Sequence, residues 1–239
     1  MTPHKDQLGP VLRGITADGP LKAPRFVWLL LSIAVALGIV YLIDIALGRP
    51  GGSLSAVVDL DGEANLPTWF SSIQWFTVAA LMLFVVDRRF DRSDRRSWFL
   101  WILPLVFLAF SMDEVVKGHE YAGVLSDAVL PGGTRDSSAL PITGAFGLTI
   151  GIPFILVAGL LLAIVRPYLQ PPAGAFKRIA IGTALFLLGA VGFDFVSNFL
   201  TPDSAAWTAE IYVEETLEMF GATLILWGAY LLAMLPGGI

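Results

Sequence analysis

Six apolar stretches, each close to the length that crosses a bilayer, constrain this 239-residue chain more than any other feature. Crossing hydrocarbon takes roughly 20 mostly apolar residues in a helix. Only a helix or a closed barrel pairs every backbone N–H and C=O without water. The stretches fall at 26–47, 69–86, 98 to about 121, 143–165, 179–200 and about 209–235. They predict an all-α, polytopic membrane bundle of about six transmembrane helices, 26–239, preceded by an N-terminal arm, 1–25. Composition agrees, because 15% of residues are charged and 56% hydrophobic, where soluble domains carry about a quarter charged.

Lys and Arg set the orientation, since they accumulate in cytoplasmic loops. Lys5, Arg13, Lys22 and Arg25 lie in the arm, and Arg88, Arg89, Arg92, Arg95 and Arg96 follow the second stretch. Arg166, Lys177 and Arg178 lie between the fourth and fifth, so only Arg49, Lys117 and Arg135 fall on the other side. Both termini are therefore expected in the cytoplasm, and the localisation expected is a bacterial inner membrane. Trp69, Trp75, Trp98, Trp101 and Trp207 lie near the predicted interfaces, where aromatic belts belong. Gly147, Gly151, Gly159, Gly182, Gly189 and Gly192 suit close helix packing, and Pro104 and Pro153 are expected to kink their helices.

Against this apolar background, eight ionisable residues fall toward one end of three stretches: Asp113, Glu114, His119, Glu120, Asp194, Glu214, Glu215 and Glu218. A carboxylate near hydrocarbon persists when it is paired, protonated, hydrated or bound to a cation. At 1.5 Å of rise per residue, Asp113 lies about 22 Å along its span, as does Asp194, while Glu218 lies about 12 Å beneath Glu210. All three helices thus bring acids into one outer-leaflet layer, which Asp44 and Gln74 are placed to join. Helical spacing puts Asp113, Lys117 and Glu120 on one stripe and Glu214 with Glu218 on another.

Carboxylates with one imidazole are natural ligands of a divalent metal ion. The candidate ligands are Asp113, Glu114, His119, Asp194, Glu215 and Glu218, and the candidate general bases are Glu120 and Glu214. A usual di-metal carboxylate site has two histidines, whereas this chain offers one near a span. Glu120, His119, Glu210 and Glu214 read equally well as solvated rim residues. There is no cysteine, which excludes disulfides, iron–sulfur clusters and thiolate zinc sites. The segment 59–63, Asp-Leu-Asp-Gly-Glu, lacks calcium-loop spacing and reads as a turn.

The stretches NLPTWFSS (65–72), SMDEVVKGHE (111–120) and VEETLEMFGA (213–222) resemble a family of uncharacterised bacterial multi-pass membrane proteins. Its members carry a similar Asp-Glu…His-Glu helix and a later Glu-Glu-x-x-Glu helix. The resemblance implies that the acidic helices belong together and brings no activity with it. Three functions remain open on the residues alone. The first is a metal-dependent hydrolase acting on a lipid or lipid-linked substrate. The second is a non-catalytic subunit or assembly factor with a membrane-protein partner, and the third is a cation- or proton-coupled transporter. No nucleic-acid partner is expected.

Overall fold

The computed structural model describes residues 22–62, 64–118, 121, 147–170 and 174–234. Among these residues the chain is helical and contains no strand. Helix α1 is Arg25–Ala46, α2 is the short Ser53–Val57, and α3 is Leu66–Arg89. A 3₁₀ stretch, Arg95–Trp101, leads into α4, Ile102–Val116. A π-helical turn, Gly147–Gly151, leads into α5, Ile152–Leu169. Helix α6, Ala175–Leu187, continues through a second π turn, Leu188–Phe193, into α7, Asp194–Ser197. Helix α8, Ala205–Met234, closes the order.

Six of these segments are long and apolar enough to cross a membrane: Arg25–Ala46, Leu66–Arg89, Arg95–Val116, Thr149–Leu169, Ala175–Ser197 and Ala205–Met234. They match the six stretches of the sequence within a few residues, except at the start of the fourth, where 143–146 lie outside the described residues, and at the end of the third. The third stretch extends in sequence to about 121, and α4 ends at Val116, where Lys117 adopts a left-handed conformation, φ 59°, before Gly118 and Tyr121 are again helical. The helix carrying Asp113 is therefore interrupted at Lys117, and Glu120, the third member of that stripe, lies outside the described residues. The two prolines expected to kink helices instead stand at changes of helix type. Pro104 lies three residues into α4, just after the 3₁₀ stretch, and Pro153 lies in the first turn of α5, just after the π turn. A proline in a first turn costs no hydrogen bond, because its missing N–H has no intrahelical partner there.

Helix α8 is the axle of the bundle and packs against α6, α3 and α1. Its contact with α6 is close because glycines face each other. A Cβ at Gly182 would lie 2.6 Å from the Gly221 carbonyl oxygen, and one at Gly228 would lie 2.9 Å from that of Ala175. Small residues allow backbones in lipid to approach this closely, and dispersion then holds them together. Gly159 differs from the expectation, having open space where a side chain would be. The fourth span is peripheral and leaves Leu156, Val157 and Leu160 exposed on its outer surface.

The core at mid-depth is aromatic. Trp75 stacks on Phe107 at 5.8 Å between ring centroids and meets Phe110 and Phe186 edge-on at 5.1 and 4.8 Å. At 1% exposure, Trp75 belongs to this core and not to an interfacial belt, where Trp69, Trp98 and Trp101 remain exposed. The helical phase of α3 explains the difference, because Trp75 lies with Ser71, Val78 and Met82 on the buried side.

At one end of the bundle, arginines close helix C-termini. Arg88 donates to the Ala233 carbonyl at 2.6 Å, and Arg89 donates to that of Tyr168. The last carbonyls of a helix lack intrahelical partners and carry the negative end of its dipole, so guanidinium groups suit them. Arg178 lies 3.8 Å over the Trp227 ring. This basic end also holds the start of α1, where Phe26 meets Tyr230 edge-on.

Candidate functional site: a carboxylate layer at the opposite end

The acids of α8 descend from the opposite end as Glu210, Glu214 and Glu218, each four residues after the last. Continued down the helix, this row becomes Gly221, Ile225 and Gly228, which pack on α6. The carboxylates therefore face the fifth span. At their level that span presents Gly189, whose Cα approaches the Glu218 side chain and the Glu214 carbonyl. A Cβ there would meet them at 2.8 and 2.9 Å.

The π turn brings Asp194 into the same layer. Along the fifth span, Gly182, Phe186 and Gly189 lie on the side facing α8. Plain α-helical spacing would place Phe193 next on that side and leave Asp194 turned away by about 100°. A π turn pairs residue i with i+5, and Asp194 stands five residues after Gly189. One extra residue thus rotates a carboxylate toward α8.

Mutual influence defines the membership of the layer. Glu210 and Glu214 share a side-chain hydrogen bond, and Glu210 lies within electrostatic reach of Asp194 and Asp61. Glu214 feels the charges of Glu215, Glu210 and Asp194. Glu218 feels those of Glu215, Glu214, Glu114 and Asp194. Three spans and the loop after α1 therefore contribute acids within electrostatic reach of one another. Glu210 is buried, with 5% of its surface exposed. Its Oε1 has no hydrogen-bond partner among the described residues.

Two of these members escape the sequence reading. Glu210 reads as a rim residue there, and Asp61 as part of a turn. The turn exists: the Asn65 side chain donates to the carbonyls of Asp59 and Gly62, both at 2.6 Å. It is anchored by Leu60, which is buried against Tyr41, Phe70, Ile211 and Met219. That anchoring of an apolar residue within an acidic loop is the available signal for placing Asp61 at the top of α8.

Other candidates are placed as follows. Glu114 is half-buried on the last turn of α4, and Asp113 lies beside Gly118, where a Cβ would be 2.7 Å from its Oδ1. His119 and Glu120 lie outside the described residues. Asp44 accepts from the Ser55 hydroxyl at 2.7 Å. Gln74 donates to the Thr223 hydroxyl at 2.7 Å, forming a polar floor to the layer on the side of α3. Among the described residues, no three His, Asp or Glu side chains form a group that could hold a metal ion.

Beside the layer is an open groove of about 460 Å³, lined by Val57, Leu66, Trp69, Val115, the Asn65–Thr68 turn and Glu114. Asn65 and Thr68 are engaged as a reciprocal cap of α3. Glu114 is the acidic group in the lining, and it also acts on Glu218.

A bundle of six apolar helices with carboxylates gathered at one end defines a multi-pass helical membrane protein. The chain belongs to the family described as a domain of unknown function (DUF8692), whose model matches residues 26–234 and so takes in all six spans. Neither the curated proteins nor the solved structures contain a match to it.

Proposed function

We propose that this protein binds a divalent cation in its carboxylate layer, on the outer side of a bacterial inner membrane. We further propose that it uses the ion to hydrolyse a lipid or lipid-linked substrate. The observation that carries the reading is the concentration of acids within electrostatic reach of one another, among them buried Glu210, whose Oε1 has no hydrogen-bond partner among the described residues. Such a concentration of negative charge needs compensation by cations or protons.

Glu218 lies within electrostatic reach of Glu114 and Asp194, which come from two other spans, and these three would supply the central ligands, joined by Asp113, Glu215 and His119. An oxygen-rich set suits calcium, magnesium or manganese, and the imidazole would draw zinc or iron. The side chains are gathered in a layer and not closed on a point, so binding must draw them together. A cation held there would lower the pKa of a water and so supply a nucleophile. Glu214 or Glu120 would take one proton from that water as its oxygen adds to the scissile carbon or phosphorus, and would pass that proton to the leaving oxygen as its bond breaks.

The basic end, with Arg88, Arg89, Arg166, Lys177 and Arg178, favours the cytoplasm by the positive-inside rule. Six spans then put both termini there. A transport path is the weaker reading, because the polar layer ends at Gln74 and Thr223, and the Trp75 cluster fills the core below.

Metal analysis of protein purified without chelators tests the proposal. Wild type is expected to retain a stoichiometric divalent cation, with the ion lost in Glu218→Gln and Asp194→Asn. Metal-free wild type that also fails to take up added manganese, calcium or zinc contradicts it.

A further inference from the structure

We infer that the turn between α3 and α4 binds an anionic phospholipid. Its phosphate rests on Arg92, Arg95 and Arg96, and its acyl chain follows Trp98 and Trp101 into the bilayer. This site lies at the basic end of the bundle and is independent of the proposed cation site.

The periodicity of the 3₁₀ stretch lays out the site. Side chains three residues apart eclipse in a 3₁₀ helix, so Arg95, Trp98 and Trp101 form one row along Arg95–Trp101. All three are exposed, Trp98 at 55% and Trp101 at 42%. The Phe90 ring meets both indoles edge-on, at 4.8 and 6.1 Å between centroids, which places them on one side. The stretch opens a membrane span, Arg95–Val116, so the row runs from the charged surface toward hydrocarbon. Exposed Leu105, a helical turn beyond Trp101, continues it.

Arg92 and Arg96 flank the head of this row and are likewise exposed. The acids of the turn hold its shape. Asp91 accepts from the Ser93 N–H and hydroxyl at 2.9 and 2.7 Å, and Asp94 accepts from the Tyr168 hydroxyl and the Arg96 N–H. Arg88 and Arg89 are committed to helix-end carbonyls. With Asp87 included, residues 87–96 hold five arginines and three aspartates, so the turn keeps a positive balance beside the row.

A guanidinium pairs with phosphate through parallel N–H donors, and an indole suits the interfacial depth. A free phosphate ion would satisfy the arginines and leave the apolar row uncovered. A zwitterionic headgroup would bring its own cation against the guanidinium groups. An anionic phospholipid matches both ends of the row.

Native mass spectrometry of the full-length protein tests the site, after equilibration with chelator in vesicles of phosphatidylglycerol and phosphatidylcholine in equal parts. Phosphatidylglycerol is expected to be retained over phosphatidylcholine by about tenfold or more. Arg95→Gln alone should lower that preference about fivefold. Arg92→Gln, Arg95→Gln and Arg96→Gln combined should abolish it. Lys22→Gln, Arg25→Gln and Lys177→Gln combined remove the same charge from the same end and should leave it nearly unchanged. Equal loss in the two triple variants, both folded by circular dichroism, would reduce the effect to the general field of the basic end and overturn the inference. Equal retention of the two lipids by wild type, or displacement of the lipid by inorganic phosphate, overturns it too. Because chelator is present throughout, failure here leaves the cation site untouched, and a metal-free protein leaves this lipid site untouched.

Discussion

At the scale of single residues, position in the bundle changes what a carboxylate can do. Glu210 and Asp203 are both acids near the acidic end of the bundle, where the last two spans meet, yet Glu210 is buried and Asp203 is exposed. Burial without a full set of partners makes Glu210 informative, because an unsatisfied buried oxygen is rare and costly. Glu210→Gln keeps the side chain's shape while removing its charge. It is expected to weaken cation binding by roughly tenfold, about 1.4 kcal/mol, measured by titration calorimetry with manganese. Unchanged affinity would mean that Glu210 lies outside the field of the ion.

Asp94, near the opposite end, makes a separate prediction. The Tyr168 hydroxyl donates to its carboxylate, and the Arg96 N–H adds a second bond, so its pKa is held below the usual carboxylate range. A lowered folded-state pKa gives stability that is present above the unfolded value of roughly 4 and lost as pH falls through the folded value. Wild type should therefore melt higher than Asp94→Asn at pH 7. The gap should narrow on acidification, as read from paired melting curves between pH 7 and 3. A gap that widens in acid would reverse the assigned sign.

At the scale of elements, the sequence announces helices clearly and their irregularities poorly. Six spans are legible because lipid admits so few backbone solutions. The interruption at Lys117 within the third stretch is not legible, because hydropathy cannot register that this residue turns left-handed. The π turn at Leu188–Phe193 is likewise silent, since Leu-Gly-Ala-Val-Gly-Phe reads as ordinary helix interior. Its consequence is large, because it sets the facing of Asp194. Deleting Ala190 should remove the extra residue and restore α-helical phase, leaving Asp194 four residues after Gly189 and still facing α8. Cation binding should therefore be retained while helical content by circular dichroism stays constant. Loss of binding in the folded deletion variant would mean that the π turn does more than set the facing of Asp194.

The glycine contacts between α6 and α8 make the complementary case, in which sequence and structure agree. Gly182 and Gly189 were expected at close packing, and both lie against α8. A methyl group at Gly182 meets the Gly221 carbonyl oxygen at 2.6 Å, and backbone cannot give way as a side chain can. Gly182→Ala should cost about 1–3 kcal/mol by overpacking, read from thermal unfolding in detergent. The same substitution at Gly159, which faces open space, should be nearly neutral. Equal effects at the two sites would place the close contact elsewhere.

At the scale of the whole molecule, charge is separated along the bundle axis. Guanidinium groups close helix ends on one side, carboxylates collect on the other, and aromatic packing lies between them. The asymmetry is legible in the sequence as loop composition, and the depth of the acids follows from rise per residue. What is not legible is the contribution of Asp61 and Glu210, because a loop anchored by Leu60 and the packing around α8 are tertiary facts.

The account stands on carboxylates from separate spans sharing a cation, and an experimental structure determined with manganese tests this most directly. Anomalous scattering should place one manganese peak between α8, the π turn and the end of α4, with Glu218 and Asp194 drawn onto it. No peak at saturating manganese, with those side chains still spread along the layer, would contradict the account.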